Sequence, residues 1–228
     1  DYYGIFNRRM AELLHADNQS IPFVSMMSNG TSGDINNIDF TGKTSPGRGP
    51  YVQMNFVANV VAATAFRAVQ NIEYHDHVRL SSAQREISLG VRLPDAEEVR
   101  RAERIVANAE GPNMKTREEI YARETILIQE YPRQVDMILQ AFRIGELAIA
   151  AIPCEVFVEI GLHLKENSPI KPMFTVSLAN GYYGYLPTPQ HHEWGGYETW
   201  RARSSFLEVE ASDKITDVLM QLLGNLTK

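Results

Sequence analysis

Residues 135–144 and 147–152 are two β-rich runs separated only by Gly145-Glu146, and this arrangement constrains the fold more than any other stretch. Two such runs across a two-residue turn pair as a hairpin. The second run ends at Pro153, which has no N–H for a ladder. A helical pattern opening at Glu155 follows through Ile160, Leu162 and Leu164 and stops near Asn167-Ser168-Pro169. Residues 173–178 then return as a strand. A hairpin combined with helix-separated strands predicts an α/β fold with a mixed β-sheet layered with helices.

The flanking segments extend this frame. Ile5, Met10, Leu13 and Leu14 make a helical apolar face, and residues 22–28 read as a short buried strand. Residues 29–50 have loop composition and are too long for a mere connector. The helix expected over residues 52–72 is apolar nearly all round, which predicts a central position. Residues 78–93 alternate as a half-exposed strand through Ile87, Leu89 and Val91. Charged helices follow over residues 94–109 and 116–130, where i,i+4 pairs on solvated faces account for the many Arg and Glu residues. Ser212 and Asp213 are placed to cap a last helix reaching about residue 223. The 228 residues suffice for one large domain, and they begin at Asp1 without an initiator methionine or signal peptide, as a piece cut from a longer protein would.

Charge and cysteine content remove several function classes. A formal charge of -6 opposes a phosphate-driven nucleic-acid binder. No uninterrupted apolar run reaches the roughly 18–20 residues of a spanning helix, so no transmembrane segment is expected and only peripheral membrane contact stays open. Cys154 is the single cysteine, which excludes an internal disulfide and a cysteine-built metal site.

Chemistry-bearing residues collect at three junctions where strands end: residues 28–37, 152–157 and 180–200. Glu155 is either a metal ligand or general base, or the complement of its helix's positive end. Tyr182, Tyr183, Tyr185 and Tyr197 can stack on substrate, donate to an oxyanion or supply a phenolate; the plain alternative is partly buried tyrosine. His191-His192 lacks HxxxH spacing, and adjacent residues in a turn rarely aim at one ion. His75 and His77 flank Asp76 and are expected to be solvent-exposed. The 28–34 segment lacks the Lys-Ser/Thr ending of a phosphate loop, and its Gly33-Asp34 pair reads as a tight turn placing a small polar side chain at a site. Ser28, Thr31 and Ser32 have no G-x-S-x-G elbow to expose them as nucleophiles. Cys154 with His163, His191 or His192 would make a cysteine hydrolase, although a free cysteine at an apolar strand end is usually inert packing.

Taken together, FVSMMSNGTSGDINN at 23–37, ELAIAAIPCEVFVEIGLHLK at 146–165 and LANGYYGYLPTPQHHEWGGYE at 178–198 resemble successive signatures of the neutral/alkaline, non-lysosomal ceramidase family, in particular its bacterial ceramidase-like branch. The resemblance runs in order over nearly the whole chain. It implies the C-terminal portion of an α/β catalytic domain over residues 1–228. It also implies a zinc amidohydrolase that cleaves the N-acyl bond of ceramide, in a secreted or periplasmic setting. The family's carboxylate zinc ligand falls on Glu155 and its tyrosine ligand on Tyr185. Its oxyanion-binding tyrosine falls on Tyr197, with Gly33, Asp34 and Tyr183 as substrate contacts.

The chain departs from that pattern in two places. The family's two histidine ligands belong to segments N-terminal to the Gly-Asp motif, ahead of Asp1, so a missing N-terminal segment or an oligomer partner is expected to complete the cleft. The slot of the nucleophilic serine holds Asn36, whose amide cannot form an acyl-enzyme. Two readings therefore stand. One is a zinc-dependent hydrolase of an amide or ester, with a lipid or other amide small molecule as substrate; the other is a non-catalytic lipid- or glycan-binding module.

Overall fold

The structure, a computed structural model, describes residues 2–37, 41 and 49–227. These form two compact units, Asp1–Ser28 with Asn36–His77, and Asn29–Ile35 with Val78–Lys228.

The first unit is a helical pair, α1 (Tyr2–Leu13) and α2 (Val52–Val69). Its small core is Phe6, Met10 and Ala62, with Leu13, Phe23, Met27 and Phe66 packed against it. The short buried strand expected at residues 22–28 is absent. The backbone there alternates half-buried and exposed side chains, as an extended chain does, but no described strand lies beside it to complete a ladder. The central position expected for α2 is also not found, because its unit offers it only α1 to pack on. Ala58 and Ala62 are buried while Val52, Phe56 and Val60 remain about half exposed. By length and composition α2 alone among the described helices is apolar enough to cross a membrane, although Asn55, Asn59 and Arg67 interrupt it. His75, Asp76 and His77 are exposed, as expected.

The second unit holds a four-stranded mixed sheet in the order β1 (Leu80–Gly90), β2 (Gln134–Ile144), β3 (Leu147–Ile152), β5 (Met173–Ser177). The first three strands run antiparallel and β3 pairs parallel with β5, so the mixed α/β class is as the sequence predicts. Gly145 turns the β2–β3 hairpin with φ +60°. One face of the sheet is covered by α7 (Ala211–Asn225), whose Ile215, Leu219, Leu222 and Leu223 join Met137, Leu139 and Ile152 in the main core. Ser212 and Asp213 do not cap α7. Glu210 holds the N-cap position without a side-chain bond, and Ser212 lies inside the first turn, buried.

The charged helices are α3 (Ala96–Ala107) and α4 (Arg117–Ile128), each started by a capping box, Asp95 with Glu98 and Thr116 with Glu119. Their ion pairs differ from the expected i,i+4 pattern. Arg101 reaches Glu118 on the neighbouring helix, while Glu98 and Glu124 meet Arg201 and Arg203 from a distant loop. Facing arginines outside the helices compete successfully for these carboxylates.

Candidate functional site

A second, two-stranded parallel sheet pairs β4 (Glu155–Val156) with β6 (Tyr185–Leu186). Glu155 thus does not open a helix as expected. Its N–H is taken by the Gly184 carbonyl at 2.9 Å and that of Phe157 by Leu186 at 3.3 Å, which holds the segment extended until α5 begins at Val158 (Val158–Asn167). Side chains alternate across a strand. Val156 and Leu186 therefore enter the core, and the register partners Glu155 and Tyr185 share the opposite, half-buried face.

Two phenols, Tyr182 and Tyr185, meet the Glu155 carboxylate, and a third, Tyr197, stands against Tyr185. Tyr182 donates to Glu155 Oε1 at 2.9 Å. Burial, and then that bond, push the Tyr182 phenol up to about 12. Tyr185 is raised further above the ordinary tyrosine value, first by burial, then by its hydrogen bond with Tyr197 and by the Glu155 charge. The rings of Tyr185 and Tyr197 meet edge to face with centroids 5.8 Å apart. Tyr183 turns the other way and donates to the Asp136 carbonyl on β2 at 2.6 Å. The positive φ of Leu178 and Asn180, and of Gly184, lets the chain reverse tightly between β5 and β6.

The strap Asn29–Ile35 lies along this sheet. The Asn29 carbonyl accepts from Ser177 N–H, Gly33 N–H donates to the Val156 carbonyl at 2.8 Å, and Asp34 Oδ1 accepts from Val158 N–H at 3.0 Å, capping α5. A Cβ on Gly33 would collide with the Glu155 carbonyl, so only glycine allows this approach. Asn36, the next residue but one after Asp34, is exposed and belongs to the first unit.

Behind β6 runs the loop that carries Tyr197. It passes from α6 (Pro189–Trp194) through Thr199 to Leu207, and the Ser204 carbonyl accepts from Tyr185 N–H at 2.8 Å. Glu124, buried on α4, takes two bonds from the Arg203 guanidinium, each 2.8 Å, and is held below the usual carboxylate range by them. A hollow of about 370 Å³ opens beside this pair, lined by Ile120, Tyr121, Glu124, Tyr182 and Arg203.

Among the described residues one other group could hold a metal ion: Asp34, Glu159 and His191, whose ligand atoms lie within 4.8 Å of one another. His191 Nε2 is 3.7 Å from Glu159, and its Nδ1 is 2.7 Å from Thr188 Oγ1. His192 stands outside the group, so the two adjacent histidines do not aim at one ion. Sequence reasoning missed Glu159 here; its place four residues after Glu155, in the first turn of α5, is the signal that could have found it. Cys154 is fully buried, and burial raises its thiol well above the ordinary value, which leaves it inert.

Compared by sequence, the chain matches no family model and no curated protein. Compared by structure, it is similar to the neutral ceramidase from Pseudomonas aeruginosa, with a TM-score of 0.66 at 16% identity, covering 99% of this chain and 40% of that one. A ceramidase complexed with C2 is similar over the whole chain, with a TM-score of 0.58 at 15% identity and 42% of its own length covered. The fold of this chain is thus that of a part of neutral ceramidase, and the chain spans about two fifths of those structures.

Proposed function

We propose that this chain is part of a ceramidase-like, zinc-dependent hydrolase that cleaves the amide of an N-acyl-sphingosine or related lipid, or a comparable ester. The observation that carries the reading is the parallel register of Glu155 with Tyr185, which sets a carboxylate and a phenol side by side with Tyr197 on the phenol. This donor set suits zinc, which accepts carboxylate and other oxygen ligands, and it offers two of the three protein ligands a catalytic site uses. Bound there, zinc would polarise the scissile carbonyl and lower the pKa of a water toward neutrality.

The chain's own residues have separate tasks. Glu155 and Tyr185 are the metal ligands, and Tyr182 orients the carboxylate through its 2.9 Å bond. Tyr197 donates a hydrogen bond to the oxygen on which charge develops, an interaction strongest in the transition state. The Gly33 and Asp34 strap forms the substrate-side wall, whereas Tyr183, held by the Asp136 carbonyl on β2, is left out of it.

Zinc content and hydrolysis of N-acyl-sphingosine by the full-length protein test the reading, with Glu155→Gln, Tyr185→Phe and Tyr197→Phe beside it. Glu155→Gln should lose zinc and turnover together, and equal zinc content and equal rates in that variant would overturn the assignment. The second reading, a lipid-binding module without turnover, is favoured by Asn36 in the nucleophile slot. Saturable lipid binding with no hydrolysis in the zinc-loaded protein would establish it instead.

A further inference from the structure

The Arg92 guanidinium is committed entirely to uncharged oxygens of one loop. Its Nε donates to the Leu207 carbonyl, Nη1 to the Thr199 carbonyl and Nη2 to both the carbonyl and the hydroxyl of Ser205, at 2.8–2.9 Å. Among the described residues no carboxylate forms an ion pair with it. The backbone is joined as well, through Arg92 N–H to the Phe206 carbonyl at 2.8 Å. An arginine in this setting is costly to desolvate, and its use on three carbonyls spread over nine residues points to shape, since only a planar fork of donors fits them together. Burial, and then the nearby Arg201, lower it to about 10, still charged at neutral pH.

Both ends of the clamped loop reach the Glu155–Tyr185 pair. The Thr199 end lies two residues after Tyr197 and is closed by Thr199 N–H and Oγ1 on the Gly196 carbonyl. The Ser205 end is preceded by Ser204, whose carbonyl takes the Tyr185 N–H. Gly184 lies so close to Ser204 that a Cβ would strike its carbonyl. A movement of this loop therefore reaches Tyr185 and Tyr197 at once.

We propose that Arg92 is a positioning residue, which fixes the Tyr197–Leu207 loop and through it sets the Tyr185 phenol and the Tyr197 donor at the distance the site requires. The proposal rests on the reading of these two tyrosines as site residues, but its geometric part can be decided without any activity.

Amide hydrogen exchange on Arg92→Lys and Arg92→Gln gives that decision. Exchange should quicken at least about tenfold at Tyr185, Thr199 and Ser205, while β2 and β3 keep their native protection. Lysine keeps the charge and folds the more safely, yet it cannot span three carbonyls. Native protection at Tyr185 in Arg92→Lys would overturn the proposal, and so would a uniform loss across every strand, the mark of a merely stabilising group. If the protein hydrolyses an N-acyl amide, Arg92→Lys should lower kcat with KM little changed; a rise in KM alone would overturn the positioning of Tyr197. If no hydrolysis occurs in any variant, the functional reading fails and the exchange pattern still decides the role of Arg92.

Discussion

Glu155 and Tyr185, thirty residues apart, face each other across one parallel step of the β4–β6 pair, with their strand neighbours Val156 and Leu186 sealed into the core on the other side. The side chains cannot leave this face without a register slip that would also expose Val156 and Leu186.

Removing the charge at this pair should be visible in Tyr182. In Glu155→Gln the Tyr182 phenol should titrate below about 12 but stay above the ordinary value of 10.0, because the anionic neighbour is lost while burial, the larger cause, remains. The linkage sign follows from the raised pKa. The folded protein holds this proton longer than the unfolded chain, so the associated stability is full below about pH 10 and disappears as pH rises from about 10 to about 12. Phenolate absorbance during titration of the native, Glu155→Gln and Tyr182→Phe proteins, with parallel denaturant unfolding, measures both effects.

Zinc uptake should release protons and strengthen with pH. A Tyr185 phenol raised by burial, by Tyr197 and by Glu155 has to give up its proton to bind as phenolate. Calorimetry in buffers of different ionisation enthalpy counts the protons. Tyr185→Phe should release fewer and bind more weakly, and an unchanged count would remove Tyr185 from the ligand set. If Glu155 is a direct ligand, as proposed, its loss should weaken zinc by more than the about 10–100-fold typical of outer-shell partners.

Gly33→Ala should damage the site from a position that carries no chemistry. The added Cβ meets the Glu155 backbone carbonyl, which cannot swing aside as the end of a flexible side chain could. Destabilisation of about 1–3 kcal/mol is expected. Zinc affinity should fall with it, whereas Gly224→Ala, with open space at the Cβ, should leave affinity at the native value.

Glu124→Gln should cost about 1.5–3 kcal/mol, the range for hydrogen bonds to a charged group. The lower part of that range is expected, since the Arg203 side chain remains 46% exposed and can be hydrated once released. Because Arg203 holds the Glu124 pKa below 4.5, this contribution is present above about pH 4.5 and is lost as the solution is acidified through the depressed value. Urea unfolding at pH 7 and near pH 3 should show the gap between native and Glu124→Gln protein closing at the acid end.

The Cys154 thiol should react with a disulfide reagent only as the protein unfolds. Its labelling rate should follow global opening across a denaturant series. Rapid labelling of the folded protein would contradict the burial.

What was legible in the sequence was periodic or punctuated. The hairpin at Gly145, the strand–helix–strand run to Ser177 and both charged helices have their own caps, turns and alternation, so local rules located them. The failures share one cause. Residues 22–28 alternate as a strand should, but a strand needs a neighbour that sequence periodicity cannot supply. Glu155 looked like a helix start because its partner strand, Tyr185–Leu186, is two residues long and lies thirty residues away. Glu124 looked like surface charge, because nothing local announces that the 199–207 loop will fold over it. Glu155 and Tyr185 were singled out by motif; their common face came from pairing, and Glu159 with His191 from the meeting of two helix starts.

The strap Asn29–Ile35 belongs to the second unit while the residues on both sides of it belong to the first. The two units are therefore interleaved in sequence: the polypeptide crosses between them after Ser28, after Ile35 and after His77. No single cut separates them. A polypeptide trimmed to begin at Val78 would keep every strand of both sheets, yet it would leave the Val156 carbonyl and the Ser177 and Val158 amides without the partners that Gly33, Asn29 and Asp34 provide. Any rearrangement of this gene by domain exchange must carry seven residues from far upstream along with the body they complete, or graft a substitute for them.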